Sequence, residues 1–367
     1  MLTIILISAL IIYFLELIFL HLGLKKANRV QITDSYEPTV SVIVAARNEE
    51  KSIGECIDSL INLNYPKEKL EIIIINDNST DKTPEIIDSF VRKYPLIKTI
   101  TAKPGLGNLQ GKANAITQGI EISKGEILIF TDADCRVQPE WIKQTVRYFV
   151  DDVGIVGGFT LLDANRIFEG IQTLDWMFLL GIASATAGWE IPLTAIGNNL
   201  AVRRIAYEKT GGYRKIPFSV TEDYALVQAI VQRTNFKVRF PINSLALVKS
   251  KPCSNIHHLY SQKKRWGIGG LDMVTRGLVI MAIGWIAKFL LMFSFLFAPV
   301  EIWLASIFIM GVAETSFIYV PLKHFKNLKM LKYTIPFLLY FFIYVLILPF
   351  IVFSSKQVSW KERQLGK

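Results

Sequence analysis

Long apolar runs occupy both ends of the chain, whereas the middle alternates between short apolar runs and polar clusters. Residues 1–24 are almost wholly apolar, with Glu16 as their one carboxylate, and they are long enough to cross a bilayer as a helical anchor. Because Lys25, Lys26 and Arg29 follow this anchor, the positive-inside rule predicts that the next domain lies in the cytosol. Glu16 is either functional or paired with a neighbouring helix or with water.

The C-terminal third of the chain is also strongly apolar. Residues 277–353 have room for two membrane spans around Pro299 and for a third after Tyr333. A basic stretch before the third span is predicted to be cytosolic, yet three spans would put the basic tail, residues 354–367, on the other side of the membrane. One of these segments is therefore a candidate re-entrant or interfacial helix, and the side of the tail stays open.

Residues 38–247 show the pattern of a soluble α/β domain. Short apolar runs such as EIIII and EILIF are typical of strands buried in a parallel sheet, and segments with helical spacing alternate with them. This alternation predicts a doubly wound, mostly parallel sheet, with ligands bound beyond the carboxyl ends of its strands. The predicted strands are 40–46, 71–75, 97–101 and 126–130, and the predicted helices are 50–63, 83–94, 112–123 and one that begins near Thr221.

Two further segments are apolar but less regular. Residues 168–189 are interrupted by Asp175 and by several Gly and Ala residues, so their uncharged part is too short to span a bilayer. We expect a helix that lies against the membrane surface or lines an acceptor groove, with an ordinary buried helix as the alternative. Residues 250–275 are predicted to form an interfacial segment before the C-terminal membrane region.

The composition narrows the choice of partners. Lys and Arg total 41 and Asp and Glu total 31, which gives a net charge of +10. Such a balance is typical of nucleic-acid, anionic-lipid or phosphorylated partners, but the cytosolic faces of a membrane protein explain it here. No long basic run with interleaved aromatic residues predicts a nucleic-acid groove. The widely spaced Cys56, Cys135 and Cys253 form neither a disulfide framework nor a zinc pattern and fit a reducing compartment.

Two aspartates follow the predicted strand 126–130. Asp132 and Asp134 are two residues apart, so in an extended chain their side chains point the same way. Two carboxylates at a strand end can hold a divalent cation against a diphosphate, and oxygen ligands suit Mg²⁺ or Mn²⁺. Such a cation would neutralise the charge that builds up on a departing nucleotide diphosphate. A solvated loop is the alternative interpretation.

Polar clusters also follow the first two predicted strands. Residues 76–81 (NDNSTD) offer a carboxylate that can accept a hydrogen bond from a base N–H, or else a turn that caps the next helix. Residues 45–50 (AARNEE) begin with small side chains that let a flat ring approach the backbone, or else form another strand-to-helix turn. Both clusters are predicted at the edge of the sheet where ligands bind.

Three more clusters have both a functional and an ordinary interpretation. Lys112 opens a helix whose N-terminus favours phosphate, or it is a surface lysine. The TEDY segment from Thr221 offers a general base, or an N-cap with acidic first-turn residues. Residues 262–266 (QKKRW) can grip phosphate and stack on a sugar, or anchor the chain at the membrane interface.

The six clusters, in this order, resemble the motifs of the large inverting glycosyltransferase family that includes cellulose synthase, hyaluronan synthase and ceramide glucosyltransferase. The matching segments lie between residues 39 and 266 and are SVIVAARNEE, INDNSTD, GKANA, DADC, TED and QKKRW. The resemblance implies an α/β catalytic domain of the GT-A fold with one N-terminal and about three C-terminal transmembrane helices. It departs from the family at INDNSTD, since Asn76 and Asn78 stand where an acid and a glycine are common.

The resemblance also implies a role for each motif residue. Asp223 would be the catalytic base, and Asp134 with Asp132 would bind Mg²⁺ or Mn²⁺. Donor binding would fall to Ala45, Arg47, Glu49, Asp77, Lys112, Asp132 and Arg265, and acceptor binding to Glu222, Gln262, Trp266 and Asn198. The implied partners are a nucleotide sugar, whose uracil would contact Asp77, and the hydroxyl of a lipid or lipid-linked acceptor at the plasma or inner membrane.

The product stays open between two classes of enzyme. A single in-line displacement would invert the anomeric centre, and transfer of one sugar to a lipid needs only a groove at the membrane. A processive polysaccharide synthase needs a channel, for which four predicted spans are few. Residues 358–364 in the tail resemble the ends of carotenoid-glycoside and similar lipid transferases. A catalytically silent membrane scaffold is the alternative from another class, although the acidic residues to which the resemblance gives a role are all present.

Overall fold

The computed structural model describes residues 1–354, except 106, 108 and 272, together with the backbone of residues 358–360 and 363–365. Most of the basic tail, including the side chains of the tail segment that resembles lipid transferases, lies outside the described residues. The described helices are α1 Leu2–Ala27, α2 Ile53–Ile61, α3 Thr83–Lys93, α4 Gly111–Ile122, α5 Trp141–Val146, α6 Ile167–Gly188, α7 Arg204–Lys209, α8 Glu222–Arg233, α9 Ile256–Gly270, α10 Thr275–Phe293, α11 Val300–His324 and α12 Thr334–Ser354. The described strands are β1 Val40–Ala46, β2 Leu70–Asn76, β3 Ile97–Thr101, β4 Ile127–Phe130, β5 Cys135–Arg136, β6 Val153–Gly157, β7 Thr160–Leu162, β8 Leu200–Arg203, β9 Lys237–Arg239, β10 Val248–Ser250, β11 Val358–Trp360 and β12 Arg363–Leu365.

The chain forms two compact units. The α/β unit contains residues 28–163 and 194–251. The helical unit contains residues 1–27, residues 164–193 and the chain from residue 252 through α12. The predicted catalytic range 38–247 therefore includes one segment, α6, that the structure groups with the membrane helices.

Seven strands of the α/β unit form one mixed sheet in the order β3-β2-β1-β4-β8-β6-β9. The neighbours β3, β2, β1 and β4 pair in parallel, and so do β6 and β9. β8 is antiparallel to both β4 and β6. Among the described strands of this sheet, β8 is thus the one that runs in the opposite direction, and the prediction of a mostly parallel sheet is confirmed.

Helices cover both faces of this sheet, which explains why its central strands are apolar throughout. On one face, Val42 and Ile74 belong to a core that includes Ile57 of α2. On the other face α4 packs against β1 and β2, and a Cβ added at Gly119 would lie 2.6 Å from Ile75 Cδ1 and 3.1 Å from Ile43 Cγ2. α4 therefore approaches the strands so closely at Gly119 that a larger side chain would displace it.

The register brings several loops to one edge of the sheet. Ala46 at the end of β1 lies opposite Asn76 at the end of β2. Phe130 at the end of β4 lies opposite Leu200 at the start of the antiparallel β8. The loops after β1, β2 and β4 and the 3₁₀ turn Gly197–Asn199 before β8 consequently meet at the carboxyl edge of the sheet. A small sheet of β5, β10 and β7 extends this edge directly after Asp134.

Four helices of the helical unit are long and apolar enough to cross a membrane. They are Leu2–Ala27 near the N-terminus, and Thr275–Leu296, Val300–His324 and Leu328–Phe353 in the C-terminal region. This confirms the predicted number and positions of the apolar helices. Within these segments Tyr13 donates a 2.6 Å hydrogen bond to Glu314 Oε1, and Lys288 pairs with the same carboxylate. Because charge is costly in lipid, this pairing holds α1, α10 and α11 together.

α6 is a buried helix of the helical unit, which was the alternative interpretation of residues 168–189. It packs against α1, α11 and α12, and most of its side chains are buried. Small residues allow this packing at the crossing with α1, where a Cβ at Gly188 would lie 2.1 Å from Gly23 O. Its interrupted apolar pattern reflects close contacts between helices, since Gly and Ala permit backbones to approach one another.

Candidate active site

A cluster of charged side chains lies at the carboxyl edge of the sheet and is centred on Lys112, in the first turn of α4. Lys112 Nζ is 2.6 Å from Asp132 Oδ1 and 3.1 Å from Glu222 Oε1. The lysine side chain is 17% exposed and that of Glu222 is 10% exposed, whereas the Asp132 side chain remains 35% exposed. Burial alone would lower the pKa of Lys112, but Asp132 and Glu222 raise it well above its ordinary value. Lys112 is therefore a permanent cation in this cluster.

Asp223 lies beside Glu222 at the start of α8, and two backbone groups orient its carboxylate. Gly197 N donates to Asp223 Oδ2 at 2.7 Å, and Tyr224 N donates to Asp223 Oδ1 at 2.8 Å. Burial and the neighbouring charge of Glu222 raise the pKa of Asp223 to about 6, against the opposing effects of Lys112 and of the two N–H groups. Such a carboxylate is mostly ionised at neutral pH and is a stronger base than an ordinary aspartate.

Asp134, the second acid of the predicted metal pair, follows Asp132 after one alanine and is half-buried. Two buried thiols lie behind the pair: Cys56 Sγ donates to Asp132 O and Cys135 Sγ donates to Asp134 Oδ1, both at 3.5 Å. Burial and the nearby aspartates raise the pKa of both thiols, so they remain protonated donors.

The donor set around the aspartates suits a hard divalent cation. Among the described residues, no group of three or more His, Cys, Asp or Glu side chains is arranged to hold a metal ion by itself. Two carboxylates leave most coordination positions to other oxygen ligands, which is how Mg²⁺ is usually bound together with substrate phosphates. The residues Asp132 and Asp134 therefore fit a cation that arrives with a diphosphate.

The loops after β1 and β2 are joined by Arg47. Its Nη1 donates to the backbone oxygens of Asp77 at 2.9 Å and Asn78 at 2.8 Å. Glu49 N donates to Thr83 Oγ1 at 2.7 Å, which connects the same loops a second time. Ala45, at the end of β1, is partly exposed and offers a flat surface next to them. Three of the predicted donor-binding residues thus lie in or beside these two loops, which the hydrogen bonds of Arg47 and Glu49 join to each other.

Asp77 is 2% exposed, and its N donates to Ala46 O at 2.8 Å. The two asparagines beside it take over the structural tasks of the residues that the family commonly has. Asn76 Oδ1 accepts from Ser79 N at 2.9 Å, as an aspartate would. Asn78 has φ of 54°, a left-handed conformation that Asn tolerates almost as Gly does. The two asparagines are therefore compatible with the hydrogen bond and the left-handed backbone that the turn around Asp77 contains.

Asn198 and Asn199, in the 3₁₀ turn before β8, are buried side chains that bond to other parts of the α/β unit. Each is 3% exposed. Thr160 Oγ1 donates to Asn198 Oδ1 at 2.8 Å, so this side chain contacts β7. Trp141 Nε1 donates to Asn199 Oδ1 at 2.9 Å, and Asn199 Nδ2 donates to the backbone at Phe159 and Ala246. The structure thus places the predicted acceptor residue Asn198 in a buried layer, and a contact between Asn198 and an acceptor stays a prediction.

Two features of the site escaped the sequence interpretation. Glu222, expected near the acceptor, forms an ion pair with Lys112, and Gly197 N orients Asp223. The adjacent acids at 222 and 223 give no local signal of which one faces the lysine. For Gly197 the available signal was its position between the apolar run before it and two asparagines, which marks a close backbone approach.

Three predicted residues, Gln262, Arg265 and Trp266, lie on α9 in the helical unit. The Trp266 ring packs against Trp176 of α6 with ring centroids 5.5 Å apart. Gln262 Oε1 is buried and has no hydrogen-bond partner among the described residues. The structure therefore brings Lys112, Asp132, Glu222 and Asp223 together in the α/β unit. It places the QKKRW segment on α9 of the helical unit.

Known proteins resemble this chain in sequence and in fold. A beta-monoglucosyldiacylglycerol synthase from Synechocystis sp. is 29% identical over 270 residues, which cover 71% of this chain and 54% of that protein. A poly-beta-1,6-N-acetyl-D-glucosamine synthase from Staphylococcus epidermidis is 25% identical over 262 residues, covering 69% of this chain and 60% of that protein. The chain thus spans little more than half the length of these curated relatives.

A solved structure shares the fold. The mannosyltransferase PcManGT from Pyrobaculum calidifontis, in complex with GDP-Man and Mn²⁺, superposes with a TM-score of 0.61 at 18% identity. The match covers 92% of this chain and 97% of that one. This agreement confirms the expected GT-A fold.

Two family models match the chain. The model "Glycosyl transferase family 2" matches residues 41–211, and "Glycosyl transferase family group 2" matches residues 127–353. The second match covers more than half of the chain and includes Asp132, Glu222, Asp223 and the C-terminal helices. The chain therefore belongs to the family 2 glycosyltransferases.

Proposed function

We propose that this protein transfers one sugar from a UDP-sugar to a hydroxyl of a lipid or lipid-linked acceptor at the membrane. The observation that carries the proposal is the cluster of Lys112, Asp132, Glu222 and Asp223 at the carboxyl edge of the sheet, where α/β folds bind their ligands. It combines a permanent cation, an oxygen donor for a metal and a carboxylate of raised pKa within one site.

The donor would lie across the loops after β1, β2 and β4. Asp77 would accept from the base, with Ala45, Arg47 and Glu49 beside it, while Lys112 would support the diphosphate. Asp132 and Asp134 would hold Mg²⁺ or Mn²⁺, which, when bound, supplies Lewis-acid stabilisation of the leaving diphosphate. The structural neighbour from Pyrobaculum calidifontis was solved with GDP-Man and Mn²⁺, which supports a nucleotide-sugar donor and a divalent cation.

The reaction that these residues support is a single displacement. Asp223 removes the proton of the acceptor hydroxyl, whose oxygen forms a bond to the anomeric carbon from the face opposite the diphosphate. The bond between that carbon and the diphosphate oxygen breaks, and its electrons leave with the nucleoside diphosphate. One displacement inverts the anomeric centre. The hydrogen bonds from Gly197 N and Tyr224 N keep the Asp223 carboxylate oriented during this step.

The QKKRW segment would complete the site. Arg265 would contact the diphosphate, since a guanidinium grips phosphate oxygens in a bidentate manner. Trp266 would stack on the sugar or acceptor. Gln262 would use its buried Oε1, because a buried polar atom normally has a hydrogen-bond partner and a ligand can supply one. Glu222 and Asn198 would shape the acceptor side.

A lipid acceptor is favoured by the four apolar helices and by the synthase of Synechocystis, whose name describes a glucosylated diacylglycerol. A processive polysaccharide synthase is the second candidate, because the Staphylococcus epidermidis relative matches 69% of this chain. The scaffold interpretation is disfavoured by the intact acidic cluster.

The experiment supplies purified protein in membranes with radiolabelled UDP-sugars and extracts the products with chloroform and methanol. A monoglycosylated species in the organic phase supports the proposal, and the Asp223→Asn variant is the control for background label. A long, water-soluble, glycosidase-sensitive polymer made by this chain alone would favour the synthase instead. Donor that is neither transferred nor hydrolysed would favour the scaffold.

We place the α/β unit in the cytosol of a multi-pass protein of the plasma or inner membrane, on the basis of Lys25 and Lys26 in the last turn of α1. A cysteine introduced at the exposed Asp58 should then resist membrane-impermeant thiol reagents in intact cells and react after permeabilisation. Labelling of this cysteine in intact cells would reverse the assignment.

A further inference from the structure

A buried ion pair joins α6 to α9 beside the QKKRW segment. Lys263 pairs with Asp175, and the two side chains are 4% and 5% exposed. Lys263 Nζ also lies 4.8 Å from the ring centroid of Trp266 and 4.7 Å from that of Tyr344. One carboxylate and two aromatic faces therefore enclose this ammonium group.

The pair depends on both partners. Burial by itself would lower the pKa of Lys263, but Asp175 raises it, and the net pKa lies above the ordinary value. Lys263 is thus charged at neutral pH although water hardly reaches it. If one partner is removed, the other becomes an unpaired buried charge, which is strongly unfavourable. Removal of both charges avoids that penalty.

The pair acts on Trp266 through the geometry of the two helices. Lys263 and Trp266 are three residues apart and share one face of α9. Asp175 contacts Lys263, while the next residue of α6, Trp176, packs against Trp266 with ring centroids 5.5 Å apart. Two adjacent residues of α6 thus determine how α9 is rotated about its own axis.

A second contact holds the chain that leads into α9. Gln172, one turn before Asp175 on α6, is buried. Its Nε2 donates to Cys253 O at 3.1 Å, and its Oε1 accepts from Cys253 N at 2.8 Å. α6 therefore contacts the chain at Cys253, just before α9 begins, and again at Lys263, in the middle of α9.

We propose that Asp175 and Lys263 are positioning residues that dock α9 on α6 and thereby orient Gln262, Arg265 and Trp266 toward the substrates. This inference rests on the proposed function, in which those three residues contact donor and acceptor. Neither member of the pair touches substrate. Its contribution is to place the contacting side chains, so it should affect turnover more than donor binding.

The test uses the full-length protein in lipid nanodiscs and the variants Asp175→Leu, Lys263→Met and their double variant. Lys329→Met is the control, since it removes an exposed cation of the same helical unit and leaves the pair. Each single variant leaves a buried charge without its partner, so kcat should fall about 10- to 100-fold while KM for the donor changes little. The double variant should recover to within about 3-fold of wild type, because no buried charge remains.

A cycle with Trp266→Ala separates positioning from general stabilisation. If the pair acts through Trp266, Asp175→Leu should cause little further loss of kcat in the Trp266→Ala background. Equal additional losses in both backgrounds would overturn the proposal. Single variants that behave like Lys329→Met, or a double variant no better than the single ones, would overturn it as well.

Labelling of Cys253 gives a measurement that needs no substrate. Cys56 and Cys135 are buried, whereas Cys253 is partly exposed, so a maleimide should react mainly at Cys253. Release of α9 should speed this reaction several-fold in the single variants and leave the double variant near wild type. Equal labelling rates in all variants would refute docking by the pair. If the wild type transfers no sugar but the rates still differ, the proposed function fails while docking is supported.

Discussion

The α/β unit and the helical unit both bury charged side chains, but they balance the charges differently. At the edge of the sheet, Lys112 faces the carboxylates of Asp132, Glu222 and Asp223, and all three raise its pKa. In the helical unit, Lys263 pairs with Asp175, one cation to one carboxylate. At the sheet the Asp132 side chain remains 35% exposed to solvent, whereas both side chains of the helical pair are nearly inaccessible.

This difference shows what each set of charges does. Burial, and after it the charge of Glu222, raise the pKa of Asp223. Both effects disfavour the ionised carboxylate, so the cluster at the sheet is stabilised when a cation enters. A balanced buried pair gains nothing from another ion and instead keeps two helices in register. We therefore expect the cluster to respond to metal and to pH, and the helical pair to respond to neither.

Removal of the divalent cation should have the largest effect. In EDTA, transfer should fall below detection and return when Mg²⁺ or Mn²⁺ is added, because the departing diphosphate then lacks its counter-charge. Asp134→Ala should abolish transfer without any chelator. Asp58→Ala, an exposed acid on α2, is the control and should keep wild-type activity. Full activity in EDTA would contradict the proposed role of a divalent cation in the cluster at the sheet.

Asp223→Asn should have the next largest effect. The variant keeps the size of the side chain but removes the base, so kcat should fall by about 10²- to 10⁴-fold. UDP binding, measured by calorimetry, should stay within a few-fold of wild type, because in the proposed mechanism Asp223 acts on the acceptor hydroxyl. Surviving turnover would mean that Asp223 only caps the start of α8.

The pH dependence of the rate sharpens the comparison further. In the proposed mechanism Asp223 acts when deprotonated, and burial with the charge of Glu222 raises its pKa to about 6. We therefore expect kcat to be constant at higher pH and to fall about tenfold per unit below pH 6. Glu222→Gln removes a charge that raises this pKa, and the acidic limb of the profile should move to lower pH. Lys263→Met should leave the position of that limb unchanged. If the acidic limb of the profile is at the same pH in Glu222→Gln as in the wild type, the charge of Glu222 does not raise the pKa of Asp223.

Gly197→Ala should have the smallest effect. A Cβ at Gly197 would lie 3.3 Å from Asp223 Oδ2 and 3.5 Å from Lys112 Nζ. The carboxylate must therefore shift by a few tenths of an ångström, and kcat should fall by several-fold with little change in melting temperature. Gly54→Ala on α2 is the control, since a Cβ there meets open space among the described residues. A larger fall in kcat for Gly54→Ala than for Gly197→Ala would contradict a role of the Gly197–Asp223 contact in orienting the carboxylate.

Much of the fold could be predicted because the signals are local. The apolar runs of β1, β2 and β4 are buried on both faces, so burial and sequence pattern agree, and strand β3 has the predicted bounds Ile97–Thr101. Helix ends were less accurate: α2 runs from Ile53 to Ile61, inside the predicted range 50–63, because the loop after β1 is held by contacts with the loop after β2.

α6 shows where pattern alone fails. A run with several Gly and Ala residues looks the same in the sequence of an interfacial helix, of a helix that lines a groove and of a helix in a tightly packed bundle. Only the neighbours decide among these, and α1, α11 and α12 are those neighbours.

By itself, the sequence determined the family, the parallel strands, the four apolar helices and the residues at the carboxyl edge of the sheet. Each of these depends on residue type and short-range spacing. The tertiary structure alone decided that Lys112 pairs with Glu222, that Gly197 orients Asp223, and that Asp175 pairs with Lys263, 88 residues away. Such contacts depend on how the fold brings distant segments of the chain together. The identity of a charged residue does not indicate which oppositely charged residue it will contact.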